Sequence, residues 1–296
     1  MIELRNITHW YDDPARPALR NVSLRVAAGE LVALVGGSGS GKTTLLKTIN
    51  RLVEPRQGEV RINGRDNRSM PAHLLRRTIG HVVQTSGLFP HWTVFDNVAA
   101  VPRLLGWSAD RVRQRVNELM TMIRLPAQDY AQRFPDSLSG GQRQRVGFAR
   151  ALAGSPSILL MDEPFGALDP EIRDELRAEF LQVHRSLGLT TVLVTHDLVE
   201  ALELADRIAV LDQGELIRLA TPRELVSRPS HPAVERMLNG PVRHARLLAG
   251  WADPSAQSAV PISSNLPGDL DGESTQAILK SDAVSSCAAF STDEAK

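Results

Sequence analysis

Apolar runs alternate along the chain with short polar breaks. Glu30-Leu-Val-Ala-Leu-Val35, Ser157-Ile-Leu-Leu-Met161 and Thr190 to Thr195 are continuous enough to predict buried strands. Residues 2–8 instead alternate, with Ile2, Leu4 and Ile7 on one side, and Leu19 to Val26 alternates again through Leu19, Val22, Leu24 and Val26. These two predict half-buried strands of an antiparallel β portion at the N-terminus. Gly58-Glu-Val-Arg-Ile-Asn-Gly64 predicts a hairpin strand ending at an Asn-Gly turn, and Ile79 to Val83 another strand. Arg207 to Leu211 and Leu216-Ile217 frame Gln213-Gly214 as a last hairpin.

Helical spacing fills the gaps between these strands. Leu45, Leu46, Ile49 and Leu52 recur on one face. Thr93 is placed to cap a helix through Val94, Phe95, Val98 and Val101 that stops near Pro102; Ser108 caps a second, through Val112, Val116, Leu119, Met120 and Ile123, ended by Pro126. Ser139 caps a third with Val146, Ala149 and Leu152 inward, on which Arg143 and Arg145 read as a solvated face. Asp169 followed by Pro170 opens a fourth, with Ile172, Leu176, Phe180, Val183 and Leu187 on one face. Leu225 to Met237 reads as a short helical stretch broken by Pro229 and Pro232. No strand pattern occurs between Gly87 and Ile158, so residues 87–150 read as a helical insertion in an α/β core. Past Gly240, residues 241–296 are rich in Ser, Ala, Asp, Gly and Pro without a sustained period, which predicts a low-complexity, disordered tail.

Composition narrows the field. At 296 residues and 42% apolar, the chain suits one α/β domain with an appendage or two small domains. Lys+Arg and Asp+Glu are 34 each, and this zero balance argues against bulk nucleic-acid binding. The single cysteine, Cys287, excludes an intrachain disulfide framework and favours a reducing compartment. The start carries neither a basic segment nor a long apolar run, so no signal peptide is expected, and no run approaches the roughly 20 apolar residues of a membrane-spanning helix.

The chemistry centres on Gly36-Gly37-Ser38-Gly39-Ser40-Gly41-Lys42-Thr43-Thr44, which fits the phosphate-loop pattern G-x-x-x-x-G-K-[ST] between a buried strand and a helix. Glycines let consecutive N–H groups turn inward on an anion, Lys42 adds a point charge on the β- and γ-phosphates of a nucleoside triphosphate, and the Thr43 hydroxyl is a Mg²⁺ ligand. The next strand run ends in Asp162 and Glu163, which places two carboxylates at a strand tip. Asp162 fits the Mg²⁺-associated acid of phosphate-loop proteins, and Glu163 is then placed to take a proton from water. Gln84 follows one strand and His196 another; strand tips suit ligand contacts, although Gln84 reads equally as a solvated loop residue. Tyr11, in a turn-rich segment, reads more simply as a loop aromatic than as a face for a base. Ser139, Gly140 and Gly141 make a Gly-rich helix start, a second anion-binding geometry that many helices share.

These motifs, in this order over residues 2–239, resemble the nucleotide-binding subunit of ABC transporters. Gly36–Thr43 is similar to Walker A, Ile158–Asp162 to Walker B, Glu163 to the catalytic glutamate, Gln84 to the Q-loop, Leu138-Ser-Gly-Gly-Gln142 to the signature, Ala167-Leu-Asp169 to the D-loop, His196 to the switch histidine and Tyr11 to the adenine-stacking aromatic. Gly37 stands where relatives often have proline. The resemblance implies an α/β phosphate-loop NTPase (RecA-like) core over 1–240, with an N-terminal antiparallel β portion and the helical insertion as a subdomain. It implies ATP with Mg²⁺ held by Thr43, Gln84 and Asp162, and catalysis by Glu163, Gln84 and His196. It further implies a head-to-tail homodimer in which Ser139, Gly140, Gly141 and Gln142 of one chain face the ATP of the other, with Asp169 also among the nucleotide-binding residues. The partners it implies are integral-membrane permease subunits, gripped by the Gln84 segment and the helical insertion, and indirectly an extracytoplasmic solute-binding protein. The place it implies is peripheral, on the cytoplasmic face of the inner membrane.

Ile79-Gly-His81 through His91-Trp-Thr93 and Asn97 through Trp107 are similar to importers of quaternary amines such as glycine betaine, carnitine and choline, and to related proline uptake systems. Relatives often have tyrosine at the place of His81, and many carry a paired CBS module; the 56 residues from 241 to 296 are too few for one and lack its β-rich pattern. The alternatives are a cassette for another small solute, such as an amino acid, methionine or a sulfonate, a soluble cassette protein acting on ribosomes or DNA, and a non-hydrolysing regulator. The presence of Glu163, Gln84 and His196 together speaks against the last.

Overall fold

The computed structural model describes residues 1–84, 87–166 and 168–252. In chain order its elements are β1 (Ile2–His9), β2 (Leu19–Val26), β3 (Leu31–Val35), α1 (Lys42–Ile49), β4 (Gln57–Ile62), β5 (Arg65–Asp66), α2 (Ala72–Arg77), β6 (Ile79–Val82), α3 (Val94–Leu104), α4 (Ala109–Met122), α5 (Ala127–Tyr130), α6 (Gly140–Leu152), β7 (Ile158–Asp162), α7 (Pro170–Leu187), β8 (Thr190–Val194), α8 (Leu198–Leu204), β9 (Arg207–Asp212), β10 (Glu215–Ala220), α9 (Pro222–Ser227) and α10 (Pro232–Ala252).

Two sheets form. An antiparallel one has the order β2-β1-β4-β5, and a six-stranded one has the order β10-β9-β3-β8-β7-β6. Strands β9, β3, β8, β7 and β6 run parallel, and β10 returns antiparallel to β9. The period of two along each strand explains why both faces of the larger sheet are apolar. Leu31, Ala33, Val35, Leu159, Met161 and Leu193 face one core, which they share with α3, α4, α6 and α7. Val32, Leu34, Ile158, Leu160, Val192 and Val194 face the other, which they share with α1 and the alternating residues of β1 and β2. Burial on both sides leaves the central strands no solvent-facing row, so polar residues occur at their tips. Met1–Ala245 form one compact unit, and the described part of the second unit, from Arg246, is the end of α10.

The turns follow from local chemistry. Asn63-Gly64 and Gln213-Gly214 both have positive φ at both residues, as two-residue hairpins with the twist of their flanking strands require. Among the described residues between β6 and β7 there are helices and a 3₁₀ turn but no strand, and the caps expected at Thr93, Ser108 and Ser139 form, each side chain accepting from an amide in the first turn.

Several boundaries differ from those expected. Leu52 lies beyond α1 and is exposed, because that helix ends at Ile49. Pro102 lies inside α3; it falls in the last turn, and Gly106 in left-handed conformation ends the helix, with Trp107 N–H donating to the Pro102 carbonyl. Helix α4 ends at Met122, four residues before Pro126, with left-handed Arg124 in the same role. Arg143 and Arg145 are not a solvated face: Arg143 donates to the Leu138 carbonyl, and Arg145 pairs with Glu179 at 2.9 Å and Glu175 at 3.1 Å on α7. Beyond Pro232 the chain is helical through Gly240 and Pro241 to Ala252, so the low-complexity stretch does not begin as tail at 241; residues 253–296 lie outside the described residues, Cys287 among them.

Phe180 of α7 is 1% exposed and meets the rings of Phe148, Phe165 and His184 at centroid distances of 5.7, 6.1 and 5.9 Å. Phe180→Ala is expected to lower unfolding stability by about 3–5 kcal/mol through lost transfer energy and the cavity left behind, read as the shift of a chemical-denaturation midpoint.

Candidate functional site: strand tips around a phosphate loop

Parallel register brings four strand ends to one edge of the sheet. Strand β3 leads into Gly36, β7 into Glu163, β8 into His196 and β6 into Gln84. Crosslinks between tips set the spacing: Glu163 N–H donates to the Val194 carbonyl at 2.9 Å, and Thr195 N–H to the Leu34 carbonyl at 3.2 Å.

The phosphate loop depends on glycine at two positions in particular. A Cβ on Gly36 would lie 2.2 Å from the Leu211 carbonyl oxygen, and one on Gly41 would lie 2.5 Å from that of Ala18. Gly41 also has φ 99° and caps α1 without a side-chain bond, which leaves the first amides of the helix turned toward the loop. Gly37, Ser38 and Gly39 are exposed at the loop's crest, while Ser40 is buried. Lys42 is buried, and its ammonium donates to the carbonyls of Gly36 at 2.9 Å and Gly37 at 2.8 Å. Burial lowers the Lys42 pKa, and the nearby carboxylates of Glu163 and Asp162 oppose that shift. The two carbonyl acceptors hold the ammonium inside the loop.

The Thr43 hydroxyl donates to Asp162 at 2.9 Å. These are two hard oxygen donors from the loop and the tip of β7, a donor set that suits Mg²⁺ bound jointly with phosphate oxygens. Gln84, expected beside Thr43 and Asp162, instead donates its amide N–H to Glu163 Oε2 at 3.0 Å. His196 Nδ1 reaches the same oxygen at 3.2 Å. Glu163 stands in the left-handed region at φ 48°, a conformation costing about 1–3 kcal/mol that turns its carboxylate off the strand line. A carboxylate so aimed, with two polar neighbours on one oxygen, is chemically suited to accept a proton from water.

Tyr11 is half exposed, its hydroxyl 3.1 Å from Thr44 Oγ1 and its ring edge-on to His9. Its position beside the loop follows from Thr44, the residue after the loop's Thr43. Ser139 and Gln142 form a reciprocal cap at the start of α6: Ser139 N–H donates to Gln142 Oε1 at 2.9 Å, and Gln142 N–H to Ser139 Oγ at 3.3 Å. That bond uses an oxygen lone pair of Ser139 and leaves its hydroxyl proton available. Gly140 is open to solvent, whereas a Cβ on Gly141 would lie 2.8 Å from Ile172 of α7. Ser139, Gly141 and Gln142 line a separate groove with Tyr130, Arg145 and Ile172 and make no described contact with the phosphate loop of their own chain. Asp169 takes the expected cap position on α7 but makes no side-chain cap bond, and Ala167 lies outside the described residues. Sequence reading missed the backbone walls, the carbonyls of Ala18 and Leu211, because a carbonyl carries no residue signature.

A phosphate loop on a parallel sheet, with paired acids at a neighbouring tip, defines a nucleoside-triphosphate-binding domain. The sequence profile of ABC transporters matches residues 19–166, and the chain belongs to that family. It is 48% identical over 237 residues to the osmoprotectant import ATP-binding protein OsmV of Salmonella typhimurium, an alignment covering 79% of this chain and 62% of that protein. It is 45% identical over 249 residues to the glycine betaine uptake system ATP-binding protein YehX of Escherichia coli, covering 84% and 80%. A dimeric post-hydrolysis structure of the ATP-binding cassette MJ0796, bound to ADP and Pi, superposes with a TM-score of 0.67 at 36% identity, covering 75% of this chain and 99% of that one. The chain thus spans less than two thirds of the length of OsmV.

Gly41→Ala is expected to weaken ATP binding at least about tenfold, or 1.4 kcal/mol, because the Ala18 backbone carbonyl cannot give way to the new methyl. Calorimetric titration with ATP checks it, at a temperature where circular dichroism shows the variant fully folded, since the same clash is expected to lower the thermal transition.

Proposed function

We propose that the protein is the ATP-hydrolysing subunit of a membrane importer for a quaternary-amine osmoprotectant, glycine betaine first, with choline, carnitine and proline as related cargo. The observation that carries the hydrolytic part is the Glu163 carboxylate, met by Gln84 and His196 on one oxygen beside the Thr43–Asp162 pair. Kinship to OsmV and YehX supports the cargo class.

In this reading the loop amides from Gly36 to Thr44 and the start of α1 cradle the α- and β-phosphates, Lys42 neutralises the β- and γ-phosphates, and Tyr11 stacks on adenine. Thr43 and Asp162 would hold Mg²⁺, which would supply charge neutralisation to the phosphates. Glu163 orients a water and takes its proton as the oxygen attacks the γ-phosphorus and the bond to the bridging oxygen breaks, giving ADP and phosphate. Gln84 and His196 hold that carboxylate and the γ-phosphate in register. The groove at Ser139, Gly140, Gly141 and Gln142, set apart from its own phosphate loop, serves the nucleotide of a second copy arranged head to tail, with Asp169 near the junction; the dimeric state of the MJ0796 cassette supports this. Closure of the pair around ATP and reopening after hydrolysis are passed by the Gln84 segment and the 87–150 helices to permease subunits, fed by an extracytoplasmic solute-binding protein. Among the described residues no helix is long and apolar enough to cross a membrane. Kinship to ATP-binding subunits of import systems supports a peripheral place on a membrane, which this reading puts on the cytoplasmic face of the inner membrane.

Cells lacking the protein are expected to lose uptake of labelled glycine betaine at high osmolarity, with recovery on complementation by the wild-type chain but not by Glu163→Gln. Unchanged uptake of betaine, choline and carnitine alongside loss of another solute's import would contradict the cargo class; full rescue by Glu163→Gln would contradict hydrolysis as the driving step.

A further inference from the structure

Helix α7 carries an arginine that the reaction described above does not use. Arg177 is 7% exposed and faces four carboxylates. Its Nη2 lies 3.1 Å from Asp197 and 3.1 Å from Glu200, which is itself 3% exposed, and its Nη1 lies 3.5 Å from both Asp174 and Glu203. Buried ion clusters of this kind add little net stability over apolar packing of equal volume, but the planar guanidinium fixes direction strongly. The direction here is toward His196.

Asp197 follows His196 immediately, and both of its carboxylate oxygens are committed. Oδ1 accepts from the amides of Val199 at 2.9 Å and Glu200 at 3.3 Å, which caps α8, and Oδ2 accepts from Arg177. Asp197 N–H donates to Thr195 Oγ1 at 3.0 Å, and Thr195 N–H is tied to β3. The residues on either side of His196 are thus held, while the imidazole itself is 64% exposed and has the Glu163 carboxylate as its described polar contact. A ring this exposed takes its place largely from its backbone. That backbone is anchored on one side by the sheet and on the other by Arg177.

We propose that Arg177 is a positioning residue for hydrolysis: through Asp197 it holds His196 in register with Glu163. The proposal rests on the reading of His196 as a participant in the reaction. It also makes α7, which begins directly after Asp169, a rigid link between the proposed dimer junction and the histidine.

The test is a double-mutant cycle on the full chain, with ATP hydrolysis followed by phosphate release. Arg177→Met is expected to lower kcat about tenfold or more while KM for ATP stays within about twofold. His196→Ala is expected to lower kcat at least as far, and Arg177→Met in the His196→Ala background is expected to cost nothing further. Arg177→Lys keeps the charge but not the fork and is expected to recover part of the loss. Because a methionine among four carboxylates endangers folding, Asp197→Asn serves as the second probe: asparagine caps α8 equally well but presents no charge to Arg177. It is expected to show the same loss of kcat and the same lack of additivity with His196→Ala. Wild-type kcat in Arg177→Met or Asp197→Asn overturns the proposal, as does a loss that multiplies with that of His196→Ala, the result expected of a purely structural cluster. Wild-type kcat in His196→Ala itself overturns both the role of His196 and the role of Arg177, so the two failures are told apart.

Discussion

The hydrogen bond from Thr43 to Asp162 is the contact around which the site is assembled. Strands β3 and β7 are not neighbours; β8 lies between them, so their axes stand about 10 Å apart. A side chain at the end of the phosphate loop and one at the tip of β7 meet across the end of β8 at 2.9 Å. That is possible because the strands run parallel and in register, with Leu34 opposite Val194 and Val194 opposite Asp162. A one-residue slip would turn Asp162 to the other face and break the pair. The two apolar cores hold the register by burying both faces of every central strand.

Around that contact the chain adopts conformations that ordinary packing disfavours. Gly36 and Gly41 sit against backbone carbonyls that no side chain could approach, and Glu163 is held in the left-handed region by the bond from its own amide to Val194. Such strain persists where surrounding structure over-determines it, and here it aims amides at one point and a carboxylate beside it. The helices contribute in a graded way: α1 offers its N-terminus, α7 anchors α6 through Arg145, Glu175 and Glu179, and the same α7 reaches Asp197 through Arg177.

What was legible in the sequence follows from this division. The central strands and their tip residues stand out because a strand buried on both faces has no polar positions except at its ends, so Asp162, Glu163, Gln84 and His196 declare themselves. The phosphate loop is legible because glycine spacing encodes backbone geometry directly. Charge on a helix was misleading: Arg143 and Arg145 read as solvated, yet Arg143 turns back to a carbonyl five residues before it, and the acids that pair with Arg145 lie 30 or more residues on, which no local window contains. Prolines mark helix ends only approximately: α3 runs two residues past Pro102 to Leu104, Pro241 lies within α10, and left-handed Gly106 and Arg124 follow the ends of α3 and α4. Gln84 stands at its strand tip as expected, and its bond to Glu163 depends on a side-chain rotation that spacing does not encode.

The central claim is that Glu163 is the proton acceptor of a site completed by a second copy of the chain. Its most direct test is to mix the full-length Glu163→Gln protein with Mg²⁺ and ATP and follow both mass, by light scattering after size exclusion, and single-turnover hydrolysis. The account predicts a dimer that retains uncleaved ATP, with hydrolysis slowed at least about 100-fold. A protein that stays monomeric at saturating ATP, or that cleaves ATP at the wild-type rate, would contradict it.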